Sequence, residues 1–209
     1  MTKLLFVCGS PRNASTEYAL LEAKKGAEEV DGVSVELLRL KGMHITPCIG
    51  CNACVKQGKT ECVLYQDDMQ QWNRHFFDYD GYLIGSPVYD MGITPQLTAF
   101  FSRFRAEYLN QKEDPFVRMY QPGAALAVGG TRNGGQEHAI SIIQGFYHTQ
   151  GMPLVNGGMC VYAGVSVWSQ DRMAKGAAED EAGMANARML GKKLALTAKA
   201  LKQGKEQSL

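Results

Sequence analysis

Four of the chain's six cysteines lie in one stretch, "TPCIGCNACVKQGKTECVLYQDD", which runs from Thr46 to Asp68. Cys48, Cys51 and Cys54 fall at every third position, and Cys62 follows shortly after them. Thiolates at i, i+3 and i+6 let one tight loop take three corners of an iron–sulfur cube, which a fourth thiolate then closes. Structural zinc more often sits between two separated CxxC knuckles, each chelating from its own turn. The compression of all four thiols between Cys48 and Cys62 favours a [4Fe–4S] cluster, with zinc or redox-active free thiols as the alternatives. Gly50, Asn52 and Gly58 allow the loop to bend and to aim N–H groups at sulfur. Cys8 and Cys160 stand instead in apolar, strand-like runs and read as core thiols.

Three further segments carry polar chemistry, each at the end of an apolar run. "GSPRNAST" offers hydroxyls at Ser10, Ser15 and Thr16 and a guanidinium at Arg12, just where a helix should begin. Helix-terminal N–H groups with hydroxyls and an arginine suit a phosphate monoester. The segment has neither GxGxxG nor GxxxxGK[ST] spacing, so dinucleotide and Walker-type sites lack their pattern. "GSPVYDMG" places Pro87, Val88 and Tyr89 where a flat apolar surface could face a ring, with Asp90 and Met91 following in the same segment. "GGTRNGGQE" supplies close backbone approach at Gly130, Gly134 and Gly135, with Thr131, Arg132, Asn133 and Gln136 as polar partners. A ligand with a phosphate at the first turn and a planar ring between the other two is FMN.

Those quoted motifs resemble the flavodoxin-like NAD(P)H-dependent FMN reductases, and within them the iron–sulfur flavoproteins. "GSPR-x-x-ST" is similar to the family's phosphate loop, "SPVY" to its isoalloxazine loop and "GGTRNGGQE" to its third FMN loop. C-x2-C-x2-C with a later cysteine resembles the cluster motif of that branch. The likeness runs from about Leu4 to Gly164. It implies FMN held by Ser10, Arg12, Ser15 and Thr16 at the phosphate, and by Pro87–Met91 and Gly130–Gln136 at the ring. It also implies a cluster on Cys48, Cys51, Cys54 and Cys62 beside the flavin, and assembly as a homodimer or homotetramer. The segment "TPQLTAFFSRFRA" departs from many relatives in lacking a Lys and an Asp-Arg pair.

The elements that must hold these groups follow from hydrophobic period. Short apolar runs at Lys3–Ser10, Val33–Leu40 and around Leu154–Tyr162 read as strands, and Gly81–Tyr89 and Gly123–Glu137 each read as a strand followed by a turn. Helical patterns cover Ser15–Val30, with Ser15 or Thr16 as cap, a stretch from Asp67 or Asp68 through Phe77, Thr94–Ala106, and Glu137–Gln150. A C-terminal helix spans about 178–203. Strand-helix alternation predicts an α/β fold: a flavodoxin-like, five-stranded parallel sheet of order 2-1-3-4-5. Helices cover both faces, and the cysteine-rich loop follows strand 2. Residues 1–209 read as one such domain with an excursion at about 41–66.

Bulk properties narrow the function. A net charge of +1 gives no field for nucleic acid or an acidic membrane surface. No apolar run is long enough to span a bilayer or to serve as a signal-peptide core. The expected compartment is the cytoplasm, where thiols stay reduced. His44, His75, His138 and His148 show no ligand spacing and read as surface or loop residues. Asp67 and Asp68 read as helix-capping charges. Tyr89 is expected to stack on the flavin, and Tyr162 and Trp168 to pack in a loop. The function expected is FMN-dependent redox chemistry with NAD(P)H, ferredoxin or a quinone-like small molecule as partner. The alternatives are a cluster-free NAD(P)H-dependent reductase of FMN, quinones or nitro compounds, and a pure electron carrier.

Overall fold

The computed structural model describes residues 1–159 and 161–208. Its strands are β1 (Thr2–Cys8), β2 (Val33–Arg39), β3 (Gly81–Pro87), β4 (Gly123–Gly129) and β5 (Val165–Trp168). They form one parallel sheet in the order β2-β1-β3-β4-β5, as the alternation of strands and helices predicts. Parallel strands are covered on both faces, which is why they read as unbroken apolar runs. Along β1, Leu4 and Phe6 enter the core on one face and Leu5 and Val7 the core on the other.

The helices are α1 (Ser15–Glu28), α2 (Ala53–Lys56), α3 (Met69–His75), α4 (Pro95–Ser102), α5 (Tyr108–Glu113), α6 (Gln136–Thr149), α7 (Met173–Glu179) and α8 (Glu181–Ser208). Leu20 and Ala23 of α1 pack with Leu190 and Leu194 of α8 on one face of the sheet. On the other face Met69 of α3, Leu97 and Phe100 of α4 and Ile143 of α6 pack around Phe76, Tyr82 and Phe104. No helix among the described residues is long and apolar enough to cross a membrane.

Several boundaries differ from the sequence reading. The fifth strand is Val165–Trp168, whereas Leu154 makes only an isolated bridge to Gly123. The chain after Leu154 turns back on itself: a Cβ on Gly157 would lie 2.1 Å from the Val161 carbonyl oxygen, and Gly158 has φ +101°. That close approach ends the ladder early, and the β-branched "VSVW" replaces it at the sheet edge. Trp168 therefore closes a strand rather than packing in a loop. Cys160, expected in the core, lies outside the described residues.

Ser15 and Thr16 do not cap α1; Ala14 holds that position and no side-chain cap forms. The third helix begins after Asp68 and runs into a 3-10 turn, Phe76–Asp78. Helix α4 is shorter than its apolar pattern, and a 3-10 turn at Arg105–Glu107 connects it to α5. Thr94 caps α4 by accepting the Leu97 N–H at 3.2 Å, and Pro95 follows at the first helical position. The C-terminal helical segment is split at Asp180, whose carboxylate accepts N–H groups from Gly183 and from Trp168 of β5.

Candidate functional site

The turns at the carboxyl ends of β1, β3, β4 and β5 meet in one cavity, at the position where parallel α/β sheets bind ligands. Ser10, Arg12, Ser15, Thr16, Pro87, Val88, Tyr89 and Gly130 all line it. The first turn is held by Ser10, whose hydroxyl donates to the Arg12 carbonyl at 2.8 Å and accepts the Arg12 N–H at 3.1 Å. The first intrahelical bond of α1 runs from the Tyr18 N–H to the Ala14 carbonyl. The N–H groups before Tyr18 thus remain as donors at the positive end of a 14-residue helix, beside two hydroxyls.

Ser169 and Asp171 complete the wall, and the sequence reading had not named them. Asp171 has φ +52°, next to Gln170 at +55° and near Met173 at +53°. Non-glycine residues in this left-handed region are strained, and such strain concentrates at binding sites. The Asp171 carboxylate lies so close to Gly130 that a Cβ there would stand 1.9 Å from Oδ1. Any side chain at 130 would therefore displace the Asp171 carboxylate from this wall.

Met91, Arg132, Asn133, Gly135 and Gln136 line a neighbouring cavity of 660 Å³, together with Glu137, His138, Ser141 and Ser166. Gln136 is buried and uses both ends of its amide inside its own turn. It donates to the Thr131 carbonyl at 2.6 Å and accepts the Gly134 N–H at 2.8 Å. Arg132 lies over the Trp168 ring, 4.3 Å from its centroid, and Trp168 donates to the Gly130 carbonyl at 2.9 Å. Asp90 has φ +47° in a turn that Tyr89 and Gly92 close with paired backbone bonds. Asp90, Thr131 and Gly134 line neither cavity. They shape the turns whose other residues do.

Cys48, Cys51, Cys54 and Cys62 line a separate cavity with Ile49, Val63, Leu64, Tyr65, Arg103 and Arg105. Gly50, Asn52 and Gly58 all have positive φ, and the short α2 sits between the second and fourth cysteines. The Gly50 N–H points at the Cys48 sulfur, 3.3 Å away. Among the described residues, no three His, Cys, Asp or Glu side chains converge as a formed metal site. The donor chemistry nonetheless fits an iron–sulfur group: four thiols, apolar walls, a sulfur-directed N–H and two guanidinium groups.

The loop is fixed from outside. The Cys48 N–H donates to the Ser102 hydroxyl at 3.1 Å, and Arg105 donates twice to Asn52 Oδ1. Arg103 donates through Nη1 to the Thr46 carbonyl at 2.8 Å and to Asp67 Oδ2 at 2.6 Å. Asp67 also accepts the N–H groups of Thr46 and Met69. Burial pushes the Asp67 carboxyl up, but the Arg103 bond, the two N–H groups and the guanidinium charge outweigh it, so it lies below its ordinary value. Asp67 is therefore a buried ion-pair partner more than a helix cap. One signal was available: Arg103 lies one helical turn beyond Ala99 and Phe100 on the apolar side of α4, where a charge demands a partner. Cys8 is buried in the first strand, and burial raises its thiol to about 11, as expected of an inert core cysteine.

Residues 2–164 match the family described as NADPH-dependent FMN reductase. An iron–sulfur flavoprotein of Methanocaldococcus jannaschii is 36% identical over 183 residues, covering 87% of this chain and 89% of its own. One from Archaeoglobus fulgidus is 37% identical over 190 residues, covering 90% and 93%. Among solved structures, RosB with bound 8-demethyl-8-formylriboflavin-5'-phosphate superposes with a TM-score of 0.70 at 14% identity, over 97% of this chain and 81% of its own. A flavone reductase gives 0.66 at 19% identity over 96% of this chain, which spans 64% of that longer protein. At these identities the structural likeness speaks for the fold.

Proposed function

The chain belongs to the NADPH-dependent FMN reductase family and is a flavin-dependent oxidoreductase, and within that family we propose that it is an iron–sulfur flavoprotein binding FMN and one [4Fe–4S] cluster. The carrying observation is that four cysteines, and no histidine or carboxylate, line one cavity. Its relatives of 36% and 37% identity are themselves named iron–sulfur flavoproteins. FMN supplies hydride and single-electron chemistry and the cluster single-electron chemistry, so together they join two-electron to one-electron partners.

The residues have these parts in that reading. Ser10, Ser15, Thr16 and the first N–H groups of α1 hold the phosphate, with Arg12 closing over it from the solvent side. Ser169 and Asp171 would offer oxygen acceptors to the ribityl hydroxyls. Pro87, Val88, Tyr89, Met91 and the Gly130–Gln136 turn would border the ring. Cys48, Cys51, Cys54 and Cys62 hold the cluster, and Ser102, Arg103 and Arg105 keep their loop in place. Residues 1–209 act as one FMN-binding unit in the cytoplasm, self-associated as a dimer or tetramer. NAD(P)H, ferredoxin or a quinone-like molecule exchanges electrons with it.

An anaerobic absorption spectrum with FMN, iron and acid-labile sulfide analysis, repeated after NAD(P)H addition, tests this. The expected protein carries FMN, iron and sulfide. Flavin without iron, after anaerobic reconstitution, would leave the cluster-free reductase standing. A protein taking up neither would overturn the assignment.

A further inference from the structure

We propose that Arg103 sets the electrostatic balance of the cysteine cavity, presenting a buried guanidinium to the thiolate-ligated cluster and favouring its reduced form. This rests on the cluster reading above and assigns a residue to its tuning. The Arg103 side chain is 1% exposed, as is its partner Asp67. Its Nη1 is satisfied by Thr46 and Asp67, while Nε and Nη2, both buried, have no hydrogen-bond partner. A buried cation with open donors needs acceptors, because water has been removed from it. The cavity it borders is lined by four cysteines and mainly apolar residues, with Asn52, Tyr65 and Arg105 as its other polar groups, and Asn52 Oδ1 is already taken by Arg105.

Two other arginines show why Arg103 is singled out. Arg118 is similarly buried beside Glu107, with two unpartnered nitrogens, and lies over the Phe77 ring 3.6 Å from its centroid; Arg103 lies more loosely over a ring, Tyr65 at 5.5 Å, and that ring lines the cysteine cavity. No cysteine faces Arg118 in any described cavity. Arg105 does border the cysteines, but it is exposed and bonded to Asn52, so solvent screens its charge. Arg103 alone combines burial, open donors and the thiol-lined cavity. An electron added to a thiolate-ligated cluster makes it more negative, and a fixed neighbouring cation stabilises that state. Asp67 opposes the effect by neutralising part of the guanidinium charge.

The test compares wild type, Arg103→Gln, Arg103→Lys and Asp67→Asn, each reconstituted anaerobically with iron, sulfide and FMN. Each is titrated with dithionite as electron source and followed by low-temperature electron paramagnetic resonance. Arg103→Gln should lower the cluster's one-electron reduction equilibrium about tenfold, which is ~59 mV toward more negative potential. Arg103→Lys should restore most of that shift. Asp67→Asn should move the potential the opposite way, since it unmasks the cation. The flavin potential should hold in every variant. Opposite signs separate tuning from loop damage, because disordering the anchor from either side would push both variants in one direction. A loaded Arg103→Gln protein with unchanged potential, or shifts of the same sign in Arg103→Gln and Asp67→Asn, overturns this inference alone. If Arg103→Gln does not fold, the sign of the Asp67→Asn shift decides. A wild type that takes up no iron and sulfide overturns the cluster reading and this inference with it.

Discussion

At the strand ends the cavity is walled largely by turns that the sheet itself delivers, and the bond holding its first turn is local, from Ser10 to Arg12. Around the cysteines the donors are side chains on a loop with one short helix, tied down by Ser102, Arg103 and Arg105 from another part of the chain. The first site follows from topology: parallel strands closing at one edge place helix N-termini and turns together whatever the loops contain. The second is grafted on, and its shape depends on contacts far apart in sequence. Topology gives a pre-shaped cradle; a graft gives specific donors that need holding.

Substitutions can pull the two sites apart. The largest effect is expected from Cys51→Ser or Cys54→Ser, which should abolish the iron and sulfide content while leaving FMN bound. Loss of FMN from a folded Cys51→Ser protein would show that the sites are not separately built. Next, Arg12→Ala should weaken FMN binding by about tenfold to a hundredfold, the worth of one charge-assisted hydrogen bond. Fluorescence titration of the apoprotein with FMN measures it, and the iron content should not change. Iron loss in Arg12→Ala would merge the two sites.

The smallest effect concerns pH. Asp67 lies below its ordinary carboxylate value in the fold, so it contributes stability above the unfolded value of ~3.9 and loses that contribution as pH falls through its lower folded value. The urea midpoint of wild type should therefore exceed that of Asp67→Asn at pH 6, with the gap shrinking below about pH 4. A gap that stays constant through that range would deny the loop its electrostatic anchor.

Much of the scaffold was readable because buried parallel strands leave continuous apolar runs, and the turns that follow them leave Gly, Ser and Pro. The fifth strand was not. "PLVNGGMCVY" has strand-like composition, but Gly157 lets the chain fold against Val161, and the sheet instead takes four residues further on. That displacement explains why Ser169 and Asp171 were missed: the turn at the end of β5 was sought too early. That the four cysteines border one cavity was legible from their spacing. Asp67 looked like a cap because its partner, Arg103, lies 36 residues away, a pairing visible only in three dimensions. Gln136 lines a cavity, as its place in the turn suggested, but sequence could not show that its amide also closes that turn.

Helix α4 touches both sites. Its cap Thr94 donates to the Gly9 carbonyl at 2.6 Å, next to Ser10, and its far end supplies Ser102 and Arg103 to the cysteine loop. Eight residues of α-helix make a girder of about 12 Å, with each residue rotated ~100° from the last. Inserting or deleting one residue would leave Thr94 seated while swinging Ser102 and Arg103 a quarter-turn off the loop. The phasing of that girder, rather than any single contact along it, keeps the two workplaces of the molecule in step.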